Sequence, residues 1–271
     1  MAITAKDVMT LRQRTGLGMM ECKSALTETG GDMDAAIAHL REKLGKDMAE
    51  RSGREAAEGA IAAALTDGAV AMVQLQSETD FAAKNDTFIA AAQKCADLAL
   101  AGPEGEFTEP TPDMQALIDN LRITIKENIS LSRGAKLTGQ RVGSYVHLNR
   151  KIGVIITGDG DLPDDLLKGL CQHLVAADGL GQWAIPLAID EASLPADKKE
   201  EAKTAAIEEA KASGKPQEIA EKIATGKLRK WVDDHTLMGQ VYVREMEAKK
   251  PIRDYIPKGA KITQYVKFQL G

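Results

Sequence analysis

The stretch Ser77-Glu78-Thr79-Asp80-Phe81-Ala82-Ala83-Lys84-Asn85-Asp86 offers the most specific chemistry in the chain. It follows the apolar run Val70–Leu75 and precedes Thr87-Phe88-Ile89-Ala90-Ala91, so a buried strand gives way to a polar turn and then to a helix. At that turn a carboxylate stands directly beside a large aromatic. Two arrangements are open. Asp80 and Phe81 can form a protruding tip that presents one charged and one apolar group. Alternatively, Phe81 turns inward and Asp80 caps the helix that follows.

Residues suited to catalysis do not converge. Cys171-Gln172-His173 has the composition of a ligand pair, but positions two apart on a helix face different ways, which argues against a zinc site. His39, His147, His173 and His235 are scattered, and His147, near a hairpin turn in Tyr145-Val146-His147, reads on its own as a surface or structural histidine. There is no Gly-x-Ser-x-Gly elbow, no phosphate-binding Gly-x-x-x-x-Gly-Lys-[Ser/Thr] loop and no Gly-x-Gly-x-x-Gly fingerprint. Gly158-Asp159-Gly160-Asp161 is too short and too acidic to cradle a phosphate. No catalytic residue, metal or cofactor is therefore expected.

Composition sets the frame for these residues. The chain has 271 residues, 44% hydrophobic and 28% charged, as in a soluble globular protein with ample core. Aromatics are only 4%, so the core must come from Ala, Leu, Ile, Val and Met. A net charge of −5 argues against a non-specific nucleic-acid binder. Cys22, Cys95 and Cys171 lie far apart and form no Cys-x-x-Cys pair, which suits unpaired buried thiols in a reducing compartment. The first residues carry charges where a signal peptide needs an apolar block, and no apolar run approaches the roughly 20 residues of a membrane span. A cytoplasmic protein with no membrane partner is expected.

The elements that must position the tip follow in order. Residues 1–52 read as a three-helix bundle: Thr4 and Asp7 suggest a capping box, Thr15-Gly16 stops the first helix, and Met19-Met20 begins a second. Gly30-Gly31 ends the second helix, Asp32 caps a third, and Met33, Ile37, Leu40 and Leu44 form its apolar stripe. The charged stretch 45–58 reads as a partly helical linker. Residues 53–140 form a first α+β half, with a hairpin around Asp67-Gly68, the tip, a helix over 87–100, a Pro- and Gly-rich loop, a helix over 113–127 and a strand. Residues 141–271 repeat hairpin, acidic loop and helix, then add a helical hairpin at about 190–230 around Ser213-Gly214-Lys215-Pro216. The first helix of this arm carries mostly Ala, so it is expected to pack loosely or against a partner. Leu237–Val243 looks extended, and Ile262–Phe268 alternates as a final strand. The fold class is α+β, with a three-stranded antiparallel sheet expected in each half.

Three blocks resemble a known family. They are Leu11-Arg12-Gln13-Arg14-Thr15-Gly16-Leu17-Gly18-Met19-Met20-Glu21-Cys22-Lys23 (then Ala25-Leu26 and Gly31-Asp32), Glu78-Thr79-Asp80-Phe81, and Gly143-Ser144-Tyr145-Val146-His147. Lys126-Glu127-Asn128-Ile129 and Ser213-Gly214-Lys215-Pro216 through Ala220-Glu221-Lys222 support them. In these blocks, and in order along essentially its whole length, the chain resembles the bacterial elongation factor Ts family, the nucleotide-exchange factors of elongation factor Tu. The resemblance implies a ubiquitin-associated-like (UBA-like) bundle that docks on the nucleotide-binding domain of elongation factor Tu, with Leu11, Met19 and Met20 as contacts. It implies that Thr79, Asp80, Phe81 and Ala82 form a tip that intrudes near the partner's magnesium site. His147 becomes a second-half contact that helps move the phosphate-binding loop. GDP would leave and GTP bind, with no direct nucleic-acid contact. A homodimer or a 2:2 assembly stays open.

This chain departs from the family pattern in two places. The family usually has Thr-Asp-Phe-Val preceded by Cys-Glu, and here Ser77 and Ala82 replace the Cys and the Val. Ala82 should lose some packing at the tip. Some members also carry a further helical module after the last strand, and the contact it makes is expected to be missing here. Two other function classes remain in view. A generic adaptor would bind without stimulating nucleotide release, and an enzyme would need a buried acid–base pair in a cleft.

Overall fold

The computed structural model describes residues 3–15, 17–51, 54–178, 181–212, 214 and 216–271, without the side chains of 41 and 44–51. Gly16, the side chain of Leu44, the linker residues Ser52 and Gly53, and Ser213 and Lys215 of the arm's turn lie outside the described residues.

Helices α1 (Ala5–Thr15), α2 (Met19–Glu28) and α3 (Met33–Arg51) form the N-terminal bundle. Their starts follow from capping. Asp7 accepts from the Thr4 N–H at 2.9 Å, and the Asp32 carboxylate accepts from Asp34 N and Ala35 N at 3.0 and 2.9 Å. Gly31 ends α2 at φ +89°, donating to Leu26 O at 2.8 Å. Val8, Leu11, Leu17, Cys22, Ala25, Leu26, Ala36 and Leu40 fill the small core. The expected linker is helical through Arg51. Gly45 is the single glycine of α3, and one glycine costs only about 1 kcal/mol in a helix.

Among the described residues, seven strands form two antiparallel sheets. The first contains β1 (Glu58–Thr66), β2 (Ala69–Ser77), β3 (Gly105–Phe107) and β4 (Ser130–Thr138) in the order β1-β2-β4-β3. It is therefore four-stranded, which corrects the expected three. The extra strand arises in the Pro- and Gly-rich loop where Phe107 pairs with Gly134 of β4 and its ring takes the space of a side chain there. A Cβ at Gly134 would sit 2.1 Å from the Phe107 ring, so the aromatic occupies space that only glycine leaves. The second sheet, β5 (Arg141–Val146), β6 (Ile152–Asp159) and β7 (Lys261–Gln269), is three-stranded in that order.

The layers follow from side-chain alternation. Ala60, Ala62, Ala71, Val73 and Leu75 face α5 (Asp86–Ala101) and α6 (Pro112–Ile125). Their neighbours Ile61, Val70 and Met72 face the second sheet, where Ile155, Phe268 and Leu270 meet them. The outer face of that sheet, with Val154 and Ile156, packs on α7 (Asp164–Ala176). The order is helices, sheet, sheet, helix, and the two halves share the central layer. Gly153 lets the sheets approach, since a Cβ there would lie 2.7 Å from Ile61 Cγ2 and 2.8 Å from Met72 Sδ. Cys22, Cys95 and Cys171 are buried and free, and burial pushes the Cys95 thiol up to about 11.

The arm is α8 (Ala196–Ala212) against α9 (Gln217–His235). Its alanines do not make it loose: Ala206, Ala210, Ala220 and Ala224 are all buried together, so small side chains allow close helix approach. The stretch 237–243, expected to be extended, instead folds back over the end of α9, with a single bridge from Val241 to Pro251. Gln240 causes this. Its amide Nε2 donates to Ala184 O at 2.8 Å and Asp234 O at 2.7 Å, and its Oε1 faces His173 Nε2 at 2.8 Å. With both Gln240 protons committed, His173 must carry its proton on Nε2. One buried amide thus fastens α7, the loop before the arm and the end of α9 together.

Burial pushes His173 down from 6.5 to about 4. The unfolded chain takes up this proton near pH 6.5 and the folded chain only near 4, so stability falls as pH drops through that window. The loss is about 3 kcal/mol at most, from about 1.4 kcal/mol per unit. Urea denaturation at pH 7 and 4.5 should show this pH dependence, and His173→Phe should lose that share of it while being less stable at pH 7.

Candidate partner-binding site

The tip is a single helical turn, α4 (Asp80–Ala83), set between two N-caps. Thr79 Oγ1 accepts from Ala82 N at 3.2 Å, and Asn85 Oδ1 accepts from Thr87 N at 2.8 Å to start α5. A turn this short buries one side only. Ala82 and Ala83 face inward, and Asp80 and Phe81 face out. Phe81 is 83% exposed, so the protruding arrangement holds and Thr79, not Asp80, is the cap. Leaving a Phe in water forgoes about 1.5–3 kcal/mol of burial. Ala82, expected as part of the contact surface, is buried at 4%. A larger residue there would press on the sheet rather than on a partner.

Behind the tip, the turn after α6 acts as a brace. Lys126 adopts φ +65°, the left-handed cap of α6, and directs the next residues at the end of β2. Glu127 accepts from Thr79 N at 3.1 Å and from Thr79 Oγ1 at 2.6 Å. Asn128 N donates to Glu78 Oε1 at 2.7 Å, and Arg54 reaches the other Glu78 oxygen at 3.2 Å. Ser77, wholly buried, donates to Thr79 O at 3.0 Å. Lys126 Nζ also pairs with Glu21 of α2 at 2.7 Å, and Glu21 accepts from Gly18 N at 3.1 Å. Glu21 thus fixes the start of α2, where Met19 and Met20 are 49% and 77% exposed. Neither methionine fills the bundle core. Leu11 does, fully buried among Val8, Leu17, Cys22 and Leu26, so its expected role as a contact is corrected to a core residue.

The third block lies at the same end of the molecule. Glu58 opens β1 opposite Ser77 at the end of β2, and it pairs with Lys151 at 2.8 Å. Arg150 O accepts from Ile61 N at 2.8 Å, which seats the β5–β6 turn beside β1. His147 is half-buried, with Nδ1 3.3 Å from the Tyr145 hydroxyl and its ring edge-on to Tyr145 at 6.2 Å. Leu148, next to it, is 92% exposed. The residue patterns place Leu148 at the end of a strand and miss it as a site residue. The available signal was its position directly before the Asn149-Arg150 turn; in the structure β5 already ends at Val146, so Leu148 lies on the turn with no sheet face to bury it.

Asp80 pairs with Lys84 at 2.7 Å, and this hydrogen bond holds its carboxyl below the usual 3.8; Asp80 in turn raises the Lys84 ammonium. Among the described residues, no three His, Cys, Asp or Glu side chains cluster to hold a metal, and no helix is long and apolar enough to cross a membrane.

The family model described as elongation factor TS matches residues 78–271, beginning one residue before Thr79. Elongation factor Ts of Colwellia psychrerythraea is 38% identical over 276 aligned residues, covering all of this chain and 92% of that protein. The elongation factor Ts of Shewanella loihica is 37% identical over the same length and coverage. That of Aliivibrio salmonicida is 36% identical over 274 residues, 99% of this chain and 92% of its own. These alignments include the N-terminal bundle.

The Asp80–Lys84 pair predicts a titration. Carboxyl chemical shifts should give Asp80 a midpoint below 3.8, rising toward the ordinary value in Lys84→Ala. An unchanged midpoint in that variant would show that the pair does not persist in solution.

Proposed function

The chain belongs to the elongation factor Ts family, and on that premise we propose that it acts on elongation factor Tu·GDP through one end of the molecule, displacing GDP without chemistry of its own. The family's role is nucleotide exchange in the elongation phase of protein synthesis. The finer reading concerns how these residues perform it. The bundle, read as UBA-like, docks Met19 and Met20 on the nucleotide-binding domain of elongation factor Tu; their flexible thioethers suit an adaptable apolar contact. Phe81 wedges between partner helices and disturbs the groups that orient the magnesium ligands. Asp80 competes for donors around that ion by exchanging its bond to Lys84. His147 and Leu148 touch the partner from the second half.

Linkage fixes what such a factor must do. It speeds GDP release by binding the nucleotide-free partner more tightly, and the two ligands weaken each other equally. Typical coupling energies are about 1–3 kcal/mol. Burying one Phe supplies about 1.5–3 kcal/mol, so a single wedge is of the required size. The observation that carries this reading is the 83% exposure of Phe81 on a turn braced from behind.

Stopped-flow release of a fluorescent GDP from elongation factor Tu, with this protein titrated in, tests it. Saturable acceleration is expected. Phe81→Ala should reduce the accelerated rate by about one to two orders of magnitude, the equivalent of the lost burial. Binding without acceleration would make the chain an adaptor, and undiminished release with Phe81→Ala would remove the wedge.

A further inference from the structure

We propose that Glu127 is a positioning residue for exchange, setting the pose of Phe81 and linking it to the methionine face of the bundle. This rests on the exchange reading above. The reasoning begins with the Thr79 hydroxyl. Its proton goes to Glu127 Oε1 at 2.6 Å, which turns its lone pair toward Ala82 N–H at 3.2 Å. The other Glu127 oxygen takes the Thr79 N–H at 3.1 Å. Both bonds are charge-assisted and so stronger than neutral ones. The capped helix has only four residues, too few to hold its own geometry. The direction of the Phe81 side chain is therefore inherited from Glu127.

The other side of the brace runs to the bundle. Lys126 holds a left-handed conformation that non-glycine residues rarely adopt, at φ +65°. That conformation points Glu127 at Thr79 while the Lys126 side chain reaches Glu21 at 2.7 Å. Glu21 fixes Gly18 N at 3.1 Å, one residue before Met19. A continuous set of polar contacts thus spaces the methionine pair from the aromatic. Glu78, by contrast, meets Asn128 N and Arg54 at the strand end.

The test measures the affinity of the full chain for nucleotide-free and for GDP-bound elongation factor Tu. Their ratio is the coupling. Glu127→Ala is expected to lower the coupling about tenfold, within the usual range of such couplings, chiefly by weakening binding to the nucleotide-free form. Glu127→Gln keeps the volume and one acceptor and should fall between. The readout that separates positioning from stability is a double-mutant cycle. In a Phe81→Ala background, Glu127→Ala should cause no further loss, because its effect passes through that side chain. Additive loss, or equal weakening of both affinities, would make Glu127 a structural residue and overturn the proposal. So would wild-type coupling in Glu127→Ala beside lowered coupling in Phe81→Ala. If Glu127→Ala does not fold, the same cycle is run with Glu127→Gln. Wild-type coupling in Phe81→Ala itself would count against the wedge reading instead.

Discussion

The two hydrogen bonds from Thr79 to the Glu127 carboxylate are the constraint on which the presenting end of this molecule depends. A four-residue helix has no cooperative stability. Without an outside anchor, Asp80 and Phe81 would sit on a loop and would pay conformational entropy on every encounter with a partner. Anchored, they are presented in one pose beforehand. Pre-organisation of this kind favours binding by reducing the ordering left to do at contact. The anchor lies on the turn after α6, whose own start is fixed by the Thr111 cap and Pro112, so the tip is tied to a capped helix.

Rigidity also comes from the centre. The two α+β halves are similar in pattern, with a hairpin whose second strand lies between its partner and a later closing strand. Each half has its own core between sheet and helices, but the two sheets also share a third. Ile61, Val70 and Met72 of one sheet and Ile155 and Phe268 of the other occupy a single apolar layer. This fixes the β5–β6 turn, with His147 and Leu148, relative to the start of β1 and so to the end of β2 that leads into the tip. The β5–β6 turn and the end of β2, far apart in the chain, are held at one end by that shared layer.

Much of this was legible from residue types. The Thr4–Asp7 box, the Asp32 cap, the Asp67-Gly68 hairpin and the alternation of Ile262–Phe268 each carry a local physical signal, and the elements form where those signals lie. What could not be read was set by distant partners. The three-residue β3 exists because Phe107 finds Gly134, and nothing near Gly105 signals it. The backbone over 237–243 is governed by Gln240 reaching three separate segments, which overrides a β-rich local composition. Leu11 and Met19 look alike as apolar residues on short helices, and only the packing of three helices decides which is core and which is surface. Likewise, Asp80 and Thr79 are both competent caps, and Glu127, forty-eight positions away, selects Thr79.

The shared central layer has a consequence for how the chain is made. Synthesis runs from the N-terminus, and Ile61, Val70 and Met72 appear roughly 200 residues before Phe268 and Leu270, which finish covering them. The inner face of the first sheet therefore stays partly uncovered while the second hairpin, α7 and the whole arm are produced. Contacts of such long range slow folding and lengthen the time that an apolar sheet face is open to wrong partners. Synthesis of this protein thus has its own vulnerable interval, which closes only when β7 takes its place beside β6.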